Sequence, residues 1–181
     1  EFKIKHLNTW FSASKTWVPA EVWAANEDAT TDVKALPCFA GLDLASVSDL
    51  TALVLLYQDG ETYHARGYYW LPKDTYEAVL LSDPSHPYGR FIEQDNFILT
   101  DGNVTDYAAI RRTLTGVVYT PQGETHTGEG LLDEYDVKKV AYDRYNSTQI
   151  AIDLTNDGAP LVPYGQGFVS MSAPTKQFEV L

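Results

Sequence analysis

Three aspartates, Asp43, Asp49 and Asp143, stand where their surroundings make a carboxylate costly. Asp43 lies inside the apolar run Gly41-Leu-Asp-Leu-Ala45, and Asp49 opens a second run that continues to Tyr57. Cys38 to Leu44 reads as a strand and Thr51 to Tyr57 as its hairpin partner, with the polar break Ala45-Ser-Val-Ser48 between them. The second run is apolar at nearly every position, the pattern of a strand covered on both faces. An ionised carboxylate in such a strand costs several kcal/mol unless it is paired or bound to a cation. Asp43 is therefore either bonded to backbone amides in the turn or a ligand. Asp143 repeats the design, closing the strand-like run Val137 to Asp143 ahead of a helix start. Two acids at two strand ends can converge on one divalent cation.

The elements that must position these acids follow in order. Asp59-Gly60 is a tight-turn signal, and Thr62 to Leu71, rich in Tyr and Trp, reads as a third antiparallel strand ended by Pro72. Asp74 and Glu77 resemble a capping box for a short helix with Tyr76, Val79 and Leu80 on its apolar stripe. Phe91 and Ile92 suggest another helical turn, and Phe97 to Thr100 a short strand. Thr105 or Asp106 caps a helix whose Tyr107, Ile110 and Leu114 share a face. Residues 116–130 read as a Gly-rich loop that is a lid, a disordered insert or a small hairpin. His126 within it reads as solvent-exposed rather than as a ligand. Asn146, with Gln149, caps a helix with Ile150, Ala151 and Leu154 inward, and Gly158 stops it. Ala159 to Tyr164 is a last strand. Ser172 then caps a final helix, with Pro174 in its first turn and Phe178 and Leu181 on its buried side.

The 181 residues suffice for one domain with a sizeable core, and 44% hydrophobic with 21% charged content is ordinary for a globular protein. No apolar run approaches the ~20 residues of a membrane span, and no signal-peptide pattern is present. The single Cys38 excludes an internal disulfide and suits a reducing compartment. The formal net charge of −12 argues against broad nucleic-acid binding through a basic face, but suits an acidic site that recruits metal ions. Nucleic acid would then need basic surface from elsewhere or contact through bound cations.

Residues 1–37 differ from the rest. They hold Trp10, Trp17 and Trp23, three of the four Trp, in a polar stretch without strand alternation, with Pro19 opening a short helix over Ala20 to Asn26. They read as an extended arm or linker whose Trp side chains pack on the domain or on a neighbour. An aromatic platform for bases is the functional alternative, but such platforms come with nearby Lys or Arg. The start at Glu1 rather than Met points to a piece of something longer.

Three antiparallel strands, helix or helices, strand, helix, strand, helix is the order of the ribonuclease-H-like α/β fold, a mixed sheet flanked by helices. Several motifs, in order, make the resemblance narrower. Gly41-Leu-Asp-Leu-Ala-Ser-Val-Ser-Asp-Leu-Thr-Ala52, Tyr69-Trp-Leu-Pro72, Gly102-Asn-Val-Thr-Asp-Tyr107, Ala141-Tyr-Asp-Arg-Tyr-Asn-Ser-Thr-Gln149 and Gln166-Gly-Phe-Val-Ser-Met-Ser-Ala-Pro-Thr175 resemble the nuclease domain of tailed-phage terminase large subunits. That resemblance runs from about Leu7 to Leu181 and implies that residues 1–37 are the segment leaving a packaging ATPase, whose P-loop is absent from these residues. It places the family's first acid on Asp43 and its second on Asp143, with Asp49 as a helper. Its third acid lies in an Ile-Asp-Gly-like motif beyond the last helix, past the end of these residues, so the nuclease site here is one ligand short.

The activity implied is two-metal hydrolysis of double-stranded DNA, cutting concatemers during genome packaging. One Mg2+ or Mn2+ would activate water and a second would stabilise the leaving oxygen, roughly 3.5–4 Å apart. The resemblance further implies portal and small terminase subunit as partners of the whole protein, and the bacterial host cytoplasm as its place. Two rivals stand beside it. A ribonuclease-H-like scaffold would dock DNA or portal without catalysis. An actin- or hexokinase-like phosphotransferase would also put an Asp before a hairpin, but Ala45-Ser-Val-Ser48 lacks the glycines that let backbone approach phosphate.

If residues 1–37 are an arm, removing residues 1–30 leaves the melting temperature within a few degrees. A large loss, read by circular dichroism, would place the arm in the core.

Overall fold

The computed structural model describes residues 18–27, 31–144 and 148–180. Contacts divide the chain into two units, Glu1–Asp32 and Val33–Leu181. In the first, α1 (Ala20–Ala25) follows Pro19, and Asn26 closes it by donating from Nδ2 to the Val22 carbonyl at 2.8 Å. Trp23 on this helix is 70% exposed. Trp10 and Trp17 lie outside the described residues.

The second unit runs β1 (Cys38–Asp43), β2 (Thr51–Asp59), β3 (Thr62–Pro72), α2 (Lys73–Ser82), α3 (Tyr88–Phe91), β4 (Phe97–Thr100) and α4 (Tyr107–Thr115). It continues through β5 (Val117–Thr120), β6 (Gly123–His126), α5 (Leu131–Glu134), β7 (Val137–Tyr142), α6 (Thr148–Asn156), β8 (Leu161–Pro163) and α7 (Phe168–Phe178). Six strands form one mixed sheet in the order β4-β3-β2-β1-β7-β8. β2 is antiparallel to both its neighbours, whereas the β3–β4, β1–β7 and β7–β8 pairs are parallel. This is the ribonuclease-H-like mixed sheet expected from the element order. Gly60, at φ 61°, makes the β2–β3 turn that Asp59-Gly60 predicted.

Period-two alternation builds the core. Cys38, Ala40 and Leu42 of β1 and Leu53, Leu55 and Tyr57 of β2 face one side with Trp70 of β3 and Val140 of β7. Ile110 and Leu114 of α4, Leu131 of α5 and Ile150 and Leu154 of α6 cover that side, as their helical spacing predicted. Each such fully buried side chain stabilises the fold by about 2 kcal/mol. Val33, just ahead of β1, is buried in the same core. On the opposite side, Phe97 packs with Tyr88 and Phe91 of α3 and with Tyr69, so α2 and α3 cover β3 and β4. That cover does not extend over β2, where Val54 and Leu56 remain 37% and 44% exposed. The apolar run of β2 is thus buried on one face, not on both.

Residues 116–130 are the small hairpin among the three readings of that stretch: β5 pairs antiparallel with β6 and α5 follows. His126 is exposed, its Nε2 3.3 Å from an Asp133 carboxylate oxygen. Gly130 is required here, because a Cβ would lie 2.4 Å from the Gly116 nitrogen.

One buried cation holds the hairpin. Arg111, on the inner side of α4, is 4% exposed. It donates from Nε and an Nη to both Asp157 carboxylate oxygens at 2.5 and 2.6 Å, and to Glu124 of β6 at 2.9 and 3.2 Å. It also bonds the Tyr119 hydroxyl, while Thr115 Oγ1 donates to Asp157 at 3.1 Å. The guanidinium therefore joins α4, the end of α6 and the β5–β6 hairpin, with its fork used bidentately.

Two helix ends differ from expectation. α2 begins at Lys73 behind Pro72 with no side-chain cap, so Asp74 and Glu77 form no capping box. Pro72 fixes the entry angle, and the Asp74 amide donates instead to the Gly102 carbonyl at 3.1 Å. α7 begins at Phe168, which puts Ser172 and Pro174 inside it. Ser172 Oγ donates back to the Phe168 carbonyl at 2.7 Å rather than capping. Pro174 cannot donate to the Ser170 carbonyl, and the Tyr164 hydroxyl fills that role at 2.7 Å. Phe178 is 47% exposed rather than buried. The expected Asn146 cap and Leu181 lie outside the described residues.

Arg111, and secondarily Thr115, hold the Asp157 carboxyl below its ordinary range against the opposing effect of burial. Its contribution is complete above the unfolded carboxyl value of about 3.9 and is lost as pH falls through the lower folded value. Asp157→Asn should cost about 3 kcal/mol at pH 7, since it leaves a buried guanidinium half-paired. Urea unfolding across pH should show the gap from wild type narrowing as the solution is acidified below pH ~4.

Candidate functional site

In the six-stranded sheet β1, β3, β4, β7 and β8 run the same way, and β2 alone runs against them. The carboxyl ends of five strands therefore open on one edge, the place where open α/β sheets bind ligands. Asp43 is the last residue of β1, pairs across with Ala52 of β2, and is exposed. Asp143 follows the last residue of β7 and is half-buried. β1 and β7 are direct neighbours, with Leu42 opposite Tyr142, so the next position along both strands carries Asp43 and Asp143. Leu42 and Val140 point into the core, and by alternation both acids belong to the other face.

That coincidence depends on an irregularity. Cys38 is opposite Val137, but Phe39 is opposite Lys139, so Lys138 is an extra residue on β7. If the two strands paired without this bulge from Cys38–Val137 onward, Asp43 would align with Tyr142, and Asp143 would fall on the opposite face. The bulge is held at its start, where the Cys38 amide donates to the Asp136 carbonyl at 2.9 Å and Lys138 Nζ lies 2.6 Å from the Asp136 carboxylate.

Asp49 sits at the far end of the connection that leaves Asp43. Its Oδ1 accepts from the Leu50 amide at 2.8 Å. Burial, and secondarily the Asp49 charge, pushes the Tyr88 phenol up. Among the described residues no three His, Cys, Asp or Glu side chains gather as a metal-holding group. The sheet register thus brings Asp43 and Asp143 together, and Asp49 completes no three-ligand cluster with them. Two carboxylates on adjacent strand ends form an oxygen-only donor set, the chemistry Mg2+ and Mn2+ accept. The residues present fit such an ion with a partial set of protein ligands.

The connection between Asp43 and Asp49 is fastened by residues that sequence patterning assigned to other tasks. Thr51, fully buried at the start of β2, accepts from the Ala45 amide at 3.0 Å. The Tyr107 hydroxyl donates to the Ala45 carbonyl at 2.9 Å. Thr105 donates to the Val47 carbonyl from its amide at 2.5 Å and from Oγ1 at 3.0 Å. The one signal for these roles was a polar Thr51 inside an apolar run. Tyr107 and Thr105 carried only helix-face and capping signals, and Asp106 is the cap, accepting from the Ala109 amide at 3.0 Å.

Residues 1–181 match the family described as terminase large subunit, endonuclease domain. Protein YmfN of Escherichia coli (strain K12) is 27% identical over 189 residues, covering 98% of this chain and 38% of that protein. The terminase large subunit of Enterobacteria phage HK97 is 25% identical over 183 residues, covering 99% of this chain and 33% of that protein. The crystal structure of the HK97 bacteriophage large terminase superposes with a TM-score of 0.73 at 24% identity, over 92% of this chain and 32% of that chain. The chain thus spans between a third and two fifths of the length of the curated relatives it matches.

Proposed function

The chain belongs to the family of terminase large-subunit endonuclease domains, and we propose that it is a divalent-metal-dependent DNA endonuclease whose Asp43 and Asp143 hold the metal. The observation that carries this reading is the β1–β7 register, which sets the two acids side by side beyond Leu42 and Tyr142. Mg2+ or Mn2+ bound there would supply a Lewis acid and a source of activated water for phosphodiester hydrolysis, as a pair of ions in the proposed mechanism. Asp43 supplies an exposed carboxylate that can reach both solvent and substrate. Asp143 supplies the second carboxylate, from the end of β7. Asp49 is proposed as an outer helper rather than a principal ligand.

The substrate proposed is double-stranded DNA, cut as concatemers are packaged into phage capsids in the bacterial host cytoplasm. No helix among the described residues is long and apolar enough to cross a membrane. A chain of net charge −12 cannot hold DNA by an extended basic face. Contact through the bound cations and uncharged donors fits that charge, and portal and small terminase subunit are the partners proposed for the whole protein. Residues 1–37 are proposed as the arm that leads from an ATPase domain, its last stretch from Val33 packing with the core.

Nicking of supercoiled plasmid with Mn2+, by a longer chain that carries the further acid the family resemblance implies, tests the reading. Asp43→Asn and Asp143→Asn should each slow nicking by more than the ~10–100-fold typical of outer-shell substitutions, and Asp49→Asn by less. Asp43→Asn should also raise the melting temperature of the metal-free chain slightly, by removing like charge, and cancel the rise that Mn2+ gives. Retained cutting by Asp43→Asn would overturn the assignment of Asp43. DNA binding without Mn2+-dependent cutting would favour the scaffold reading.

A further inference from the structure

The connection from Asp43 to Asp49 has little core of its own: Ser46, Val47, Ser48 and Asp49 are all exposed. Its shape is set by hydrogen bonds from a distant part of the chain. The Tyr107 hydroxyl reaches the Ala45 carbonyl, 62 residues away in sequence, at 2.9 Å. Thr105 grips the Val47 carbonyl twice, from its amide at 2.5 Å and its hydroxyl at 3.0 Å. From the other side, buried Thr51 takes the Ala45 amide at 3.0 Å. The platform that carries Tyr107 is rigid, because α4 is capped by Asp106 and locked into the core by Ile110, Leu114 and Arg111.

We infer that Thr105 and Tyr107 are positioning residues for the carboxylate edge, fixing through Ala45 and Val47 the connection that leaves Asp43 and carries Asp49. The inference rests on the metal-holding role proposed for Asp43. Polar groups that hold ligand-bearing segments in place typically contribute 10–100-fold to metal affinity or activity. Both substitutions that test it are mild. Tyr107→Phe keeps the ring and deletes the hydroxyl. Thr105→Val deletes one of two bonds to Val47 and keeps the amide.

Mn2+ binding to the 181-residue chain, followed by the electron paramagnetic resonance signal of free Mn2+, reads the effect without depending on cleavage. Tyr107→Phe and Thr105→Val should each weaken binding about 10-fold while the melting temperature stays within a few degrees, and Thr105→Ser should restore it. Wild-type binding that requires Asp43, left unchanged by Tyr107→Phe and Thr105→Val, overturns the inference and leaves the metal assignment standing. Weakened binding that tracks a fall in melting temperature, and that Thr105→Ser does not reverse, also overturns it, as a structural role only. Mn2+ binding that is absent, or that survives Asp43→Asn, removes the metal assignment and this inference with it.

Discussion

The parallel ladder between β1 and β7 is the constraint on which the rest of the molecule depends. A parallel pair cannot be closed by a tight turn. Here the chain makes β2, β3, β4, the β5–β6 hairpin and four helices before β7 returns beside β1. Everything in that excursion must pack so that β7 arrives in one register. The residue inserted at Lys138 selects which register that is. Because side chains alternate at every step, a slip of one residue would exchange the core face of β7 for its open face and separate Asp143 from Asp43.

Two polar groups of the helices are satisfied from outside their own helix. Pro174 deprives the Ser170 carbonyl of its helical donor, and Tyr164 beyond β8 replaces it. Arg111 would be costly in the core alone, but its fork is shared between Asp157 and Glu124. The pair does more than avoid a penalty, since it couples the β5–β6 hairpin to α4 and to the end of α6. A buried ion pair of this kind adds little net stability but is expensive to break, and it fixes one arrangement among several that apolar packing would tolerate.

An acidic chain proposed to act on DNA would have to separate two tasks. Asp43 and Asp143 lie at one sheet edge, where a bound cation would neutralise them, and the adjoining connection presents Ser46 and Ser48 rather than Lys or Arg. Placement of the acids then matters more than overall charge. The strands place Asp43 and Asp143 through backbone pairing, whereas Asp49 depends on side-chain bonds to its connection. Precision on a strand end costs no extra ordering, because the ladder already fixes the backbone.

Sequence alone determined most of the elements and singled out the acids as candidates. Period-two and period-3.6 spacing located the strands and helices, because burial of one face imposes those periods on the residues themselves. Asp43 and Asp143 stood out because each ends an apolar strand, but Asp43 is exposed on the open face of the sheet, so burial does not oblige it to find a partner. The helix starts behind Pro72 and Gly167 differ from those read at Asp74 and Ser172, because the same side chains also occur within the first turns of a helix. What only the tertiary structure decided is pairing between distant segments. The extra residue at Lys138, the clamp of Arg111 on Asp157 and the reach of Tyr107 to Ala45 join positions far apart in the chain. No local period encodes such contacts, because each exists only after the sheet has brought the two segments together.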